Sequence, residues 1–197
     1  MMTTRKGKID RRELLQRLFP EPDQWLFVSG LAGASKDTAQ LTGDGANLFS
    51  MAGTMGAAVP MGLGIALSAP ERKVAVINGD GEMLMGIGAL VTVATAAPAN
   101  LVMVCLDNAM HGETGGQTGH TSRATDLEMI ARGSGLERTM TIAEPGEIDA
   151  AAAFITDAPG PKFLLCRVLP TAPSAYKRNM DPAECRVRFR QAFGAVG

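Results

Sequence analysis

The sequence predicts an α/β fold, a three-layer doubly wound parallel sheet, and two observations carry that reading. First, Val74 to Ile77 and Leu101 to Leu106 are continuous apolar runs rather than alternating ones, the pattern of strands covered on both faces. Second, Met83 to Ala96 between them is Leu/Met/Ala-rich and long enough for a buried crossover helix. Asn78-Gly79-Asp80-Gly81 bounds it in front, Pro98 and Asn100 behind. A right-handed crossover of this kind returns both strands to one sheet edge, with Asp80 and Asn108 side by side. The chain has 197 residues, 46% of them apolar, enough for one domain with its own core.

In chain order, Asp10 with Glu13 opens a helix to about Phe19, ended by Pro20 and Pro22. Trp25 to Ser29 is the first strand. The loop Gly30-Leu31-Ala32-Gly33-Ala34-Ser35 after it either offers backbone donors and the Ser35 hydroxyl to phosphate oxygens, or is a plain turn into a helix. Gly43-Asp44-Gly45 has no apolar strand before it and reads as a surface turn. A glycine-rich stretch through Gly53, Met55 and Gly56 leads into an apolar helix to Leu67, whose small residues allow close packing on a sheet or a partner. Taken alone, Met55 reads as a core methionine.

After Asn108 and Met110 the chain runs His111-Gly-Glu113-Thr-Gly115-Gly116-Gln117-Thr-Gly119-His120. Its glycine density, Gly115 included, suits a loop packing over a bound group. It holds both histidines of the chain. His111 and His120 are either solvated loop residues or acid/base and anion-binding groups. Thr125-Asp126 then caps a helix to about Arg132, Arg138 to Ile142 is a strand, Glu144-Pro145 starts a helix to Asp157, and Phe163 to Leu169 is the last strand. The tail from Thr171 is polar, basic and proline-containing, a solvated or interface segment. The expected division is an N-terminal helix and linker over 1–24, a binding domain over 25–170 and a tail over 171–197.

Net charge is −1 and no basic tract exceeds Arg11-Arg12, which argues against nucleic acid as a partner. Cys105 and Cys166 lie in apolar runs and read as reduced core residues, while Cys185 sits in the charged tail. With no apolar run of membrane length and no apolar signal core, a cytoplasmic protein is expected.

The predicted sheet edge is where the chemistry collects. Gly79 and Gly81 permit a sharp turn beneath a helix N-terminus, a site for an anion. A dinucleotide fingerprint fails here, because Leu84 stands where the third glycine would be and Asp80 would repel a diphosphate. A divalent cation removes that conflict. Magnesium takes oxygens from one or two side chains, waters and substrate phosphates, and Asp80, the Asn108 amide and a nearby carbonyl suit it.

Asn78-Gly79-Asp80-Gly81 after one strand and Asp107-Asn108 after the next resemble the signature of thiamine diphosphate-dependent enzymes, many of which carry two asparagines at the second position. Gly53-Thr54-Met55-Gly56 ahead of it is also family-like. The resemblance covers roughly residues 25–169 and is to the diphosphate-binding domain of the decarboxylase branch, of the sulfopyruvate decarboxylase β-subunit and phosphonopyruvate decarboxylase type. It implies a thiamine diphosphate-binding fold. It implies magnesium held by the side chains of Asp80 and Asn108 and the Met110 carbonyl, with the Asp107 departure falling on a non-ligand.

Met55 would wedge the cofactor into a V, the Gly53 carbonyl would accept from its pyrimidine amino group, and Glu82 would begin the helix at the diphosphate end. The resemblance further implies a small 2-oxo acid substrate and an α subunit bringing the pyrimidine-binding domain and its glutamate. An acetolactate-synthase-like carboligase subunit or a non-catalytic cofactor-binding subunit are the alternatives.

Overall fold

A computed structural model describes residues 7–194; the first six residues of the opening segment and the last three of the tail lie outside it. Six parallel strands form the central sheet in the order β2-β1-β3-β4-β8-β7. They are β1 (Trp25–Ser29), β2 (Leu48–Ser50), β3 (Lys73–Gly79), β4 (Leu101–Asp107), β7 (Arg138–Ile142) and β8 (Lys162–Arg167). A two-stranded antiparallel hairpin, β5 (Met110–His111) with β6 (Gln117–Thr118), stands off the end of β4. Strands β1, β4 and nearly all of β3 and β8 are buried along their length, as continuous apolar runs require.

One sheet face is covered by α1 (Arg11–Leu18), α2 (Ala32–Thr42) and α7 (Ile148–Thr156), which share a cluster with Phe27, Ala75, Val104 and Leu164. The other carries α3 (Ala58–Ser68), α4 (Asp80–Met85), α5 (Ala89–Ala96) and α6 (Leu127–Gly133) over Val28, Val76, Met103 and Leu165. The small residues of α3 do what their size allows. A Cβ on Gly62 would lie 2.2 Å from Val76 Cγ2, so the helix backbone rests directly on that side chain.

Asp10 and Asp126 cap α1 and α6 through their side chains. Three expectations are corrected. The crossover helix is two helices, α4 and α5, because Gly86-Ile87-Gly88 interrupts it, and Gly86 packs against the Gly56 backbone where a Cβ would lie 2.1 Å from its carbonyl oxygen. Nor is that crossover buried throughout, since Met85 and Val91 are exposed.

The third correction is to the tail, which is not simply solvated. It forms α8 (Pro182–Phe193), capped by Asp181, and buries Cys185 and Phe189 against β2 and Phe49. Strand β2 itself was too short to show as an apolar run. Among the described residues no helix is long and apolar enough to cross a membrane, and the three cysteines are free and buried.

Candidate functional site

Strands β3 and β4 are neighbours with Gly79 paired to Leu106, so the residues that follow them meet at one edge. A cavity of about 570 Å³ opens there, lined by Gly79, Asp80, Gly81, Glu82, Asn108 and Met110, and on its flanks by Met55, His111 and Gly116.

Asp80 begins α4 and is 3% exposed, with no cationic partner among the described residues. Burial, and behind it the charge of Asp107, push its pKa up to about 6. Asp107 is raised as well, by its own burial. The Thr121 hydroxyl stands between them, 2.7 Å from Asp107 Oδ1 and 3.1 Å from Asp80 Oδ2. Two buried carboxylates meet around one hydroxyl, with Arg167 offsetting part of the charge on Asp107.

Two side chains of the loop after β4 lock its shape. Asp107 accepts from the Ala109 N–H at 2.9 Å and Asn108 from the Met110 N–H at 3.1 Å, which hold Ala109 at φ +59°. Ala32, lining the cavity, and Ala52, beside Gly53, also have φ of +60° and +47°. Left-handed backbone costs an alanine about 1–2 kcal/mol, so Ala32 and Ala109 hold strain at this edge. Gly119 approaches closely as well: a Cβ there would sit 3.1 Å from Asp80 Oδ2.

Glu82 is the other buried acid. Its Oε2 accepts from the Leu31 N–H at 2.9 Å while Oε1 has no partner, and burial raises its pKa to about 6. A Cβ at Gly30 would fall 1.6 Å from that carboxylate, so a larger residue there would displace the Glu82 side chain.

A divalent cation fits these donors. Among the described residues no three His, Cys, Asp or Glu side chains form a self-sufficient cage, so a metal here would draw ligands from amide, carbonyl and bound phosphate as well. The Asn108 amide oxygen spends one lone pair on Met110 and keeps another. Arg11 and Lys36 bring positive charge to the same cavity from α1 and α2.

Other predicted residues fall as follows. Met55 is 38% exposed on the cavity wall, not a core residue. Gly53 forms the preceding turn at φ +99°, outside the lining. His111 lines the cavity and His120 is exposed beyond it, their rings 6.1 Å apart, edge to face. Gly115 is corrected: it is exposed in the turn of the β5–β6 hairpin, and Gly116 reaches the cavity instead. Ser35 is corrected too, being fully buried and bonded to Ser29 and Ser50, so it offers nothing to a ligand.

Sequence reading missed Thr121 and the wall Pro170 to Pro173, which is held because Asp37, ion-paired to Arg11, accepts from the Ser174 N–H at 2.8 Å. Neither carries a local motif.

The family of thiamine pyrophosphate enzymes, C-terminal TPP binding domain, matches residues 32–166. The chain belongs to that family. Among relatives of this thiamine pyrophosphate enzyme domain is sulfopyruvate decarboxylase subunit beta of Methanocaldococcus jannaschii, 34% identical over 85% of this chain and 88% of that one. Phosphonopyruvate decarboxylase of Streptomyces viridochromogenes is 36% identical over 89% of this chain, which spans 44% of its length. In structure the fold is shared with a Mycobacterium smegmatis chain assigned to the thiamin diphosphate-dependent enzymes, at TM-score 0.67 and 24% identity over 83% of this chain and 32% of that one.

Proposed function

We propose that the chain is the β-type subunit of a split, thiamine diphosphate- and magnesium-dependent decarboxylase of a small 2-oxo acid. The observation that carries this is Asp80, buried in the wall of a cavity beside a second buried acid, Asp107, with no ion-pair partner of its own among the described residues. Asp80, Asn108 and the Met110 carbonyl would hold magnesium. Backbone at Gly79 and Gly81, with Lys36 and Arg11 opposite, would take the diphosphate.

Met55 and the Gly53 carbonyl would set the geometry of the cofactor rings. Thiamine diphosphate supplies a nucleophilic carbon and accepts the electrons released with carbon dioxide. The chain's own part is to bind, to orient and to exclude water. His111, half-buried on the cavity wall, is placed to exchange a proton with substrate or product, and His120 stands behind it.

Residues 25–170 would form the diphosphate- and metal-binding domain, flanked by 1–24 and the tail 171–197. The acids at the cavity in this chain would lie at the diphosphate end: Glu82 holds the Leu31 N–H and Glu113 follows the metal loop. The glutamate therefore comes from an α subunit carrying the pyrimidine-binding domain, with the cofactor between the two. The division of the relatives supports that, one a beta subunit of this chain's size and the other about twice as long. Free buried cysteines suit a cytoplasmic, reducing compartment.

The test is co-expression with such a subunit, then an assay of carbon dioxide release from sulfopyruvate, phosphonopyruvate and pyruvate with magnesium and cofactor. Release from the pair and none from this chain alone is expected. A coupled acyloin product would mean a carboligase, and full activity of the partner-free chain would overturn the split.

A further inference from the structure

The opposite, amino-terminal edge of the sheet carries a second cavity, of about 300 Å³, between the sheet and the end of α7. Parallel register puts Lys162 on the face of Val102 and Ala75, and Lys73 two positions before Ala75 on that same face. Both lysines line the cavity, together with Trp25, and its lining holds no carboxylate.

Lys162 is the telling residue. It is 1% exposed, and among the described residues its ammonium makes no ion pair or hydrogen bond. Its ammonium lies over the face of Phe154, 5.8 Å from the ring centre. The end of α7 and the charge of Asp157 offset part of its charge, while Arg138 adds to it; burial, then Arg138, lower its pKa. Lys73 holds its ammonium 5.6 Å over the Trp25 ring and donates to Gln24 Oε1 at 3.1 Å, leaving two of its three protons free. A lysine this buried is most often paired.

We infer that this cavity is a binding site for a phosphate dianion, free or as the head of a small ester, held between Lys162 and Lys73 on the far side of the sheet from the cofactor cavity. Two ammoniums on a lining without carboxylates, with Asp157 acting on Lys162 from outside it, recognise a compact, doubly charged oxyanion. The size of the cavity admits such a group with a short ester tail and excludes a polymer.

Trp25 is the chain's single tryptophan and lines the site, so its fluorescence reports occupancy without a label. The intact chain is titrated at constant ionic strength with inorganic phosphate and, separately, with glycerol 3-phosphate. The expected result is a saturable change in Trp25 emission, weakened at least ten-fold in Lys162→Met and at least three-fold in Lys73→Met. Lys73 is exposed, so its variant keeps the fold whatever Lys162→Met does. Tighter binding of one probe identifies the source as free phosphate or ester. No saturable change, or equal affinity in wild type and both variants, overturns the site.

Discussion

The two faces of the sheet are finished differently. Among the described residues seven large apolar side chains are left exposed: Met55, Leu67, Met85, Val91, Met129, Met180 and Val187. All lie on α3, α4, α5, α6 and α8 or on the segments entering α3 and α8, and none on α1, α2 or α7. The α1–α2–α7 face is closed by polar links, with Arg17 donating to Asp149 at 2.5 Å and Arg11 buried against Asp37. The first face meets water through polar links; the second leaves bare the apolar side chains that an α subunit would cover. The cofactor cavity opens beside the second, with Met55 on its wall.

The largest effect should come from charging that face. Met85→Lys with Val91→Asp should cost at least a hundred-fold in affinity for the α subunit, read by analytical ultracentrifugation. The melting point should barely move, as surface changes usually fall within about 0.5 kcal/mol. Ala153→Lys, on the exposed side of α7, is the matched control and should pair normally. Equal loss from both would erase the distinction between the faces.

Next comes pH. Asp80 and Glu82 both have folded-state pKa values raised to about 6, so the folded chain holds protons that the unfolded chain releases near pH 4. Stability of the cofactor-free chain should therefore fall as pH rises from about 4 through 6, by on the order of 3 kcal/mol for Asp80 and 2 for Glu82. Asp80→Asn should remove the larger share of that slope in denaturant melts taken across the range. A stability that rises with pH through this window would contradict the charge deficit.

Thr121→Val should cost about 1–3 kcal/mol by stripping the hydroxyl shared by Asp80 and Asp107, measured by urea unfolding. Smallest in stability is Met55→Ala. An exposed side chain leaves little cavity, so a loss below about 1 kcal/mol is expected, alongside a clear drop in turnover of the assembled enzyme. The reverse pattern would return Met55 to a packing role.

Much of this was legible in the sequence because it is local. The strands of the core announce themselves as apolar runs, and Asp80 and Asn108 follow two of them. What was hidden is what depends on distant segments meeting. Thr121 reaches Asp80 across 41 positions. Asp107 reads as a harmless departure until its carboxylate is seen to push against Asp80. Ser35 looks like a phosphate donor because nothing in its own neighbourhood reveals Ser29 and Ser50 closing over it. Strand β2 and helix α8 stabilise each other through Phe49 and Phe189, and neither has a strong pattern alone.

The central claim is that Asp80 binds magnesium for a diphosphate. Calorimetric titration of thiamine diphosphate into the assembled α–β enzyme, with magnesium and after chelation, tests it in wild type and in Asp80→Asn. The account predicts one saturable site per chain that vanishes on chelation and in the variant, while the variant melts no lower than wild type at pH 7. Near-normal, magnesium-dependent affinity in folded Asp80→Asn would contradict it.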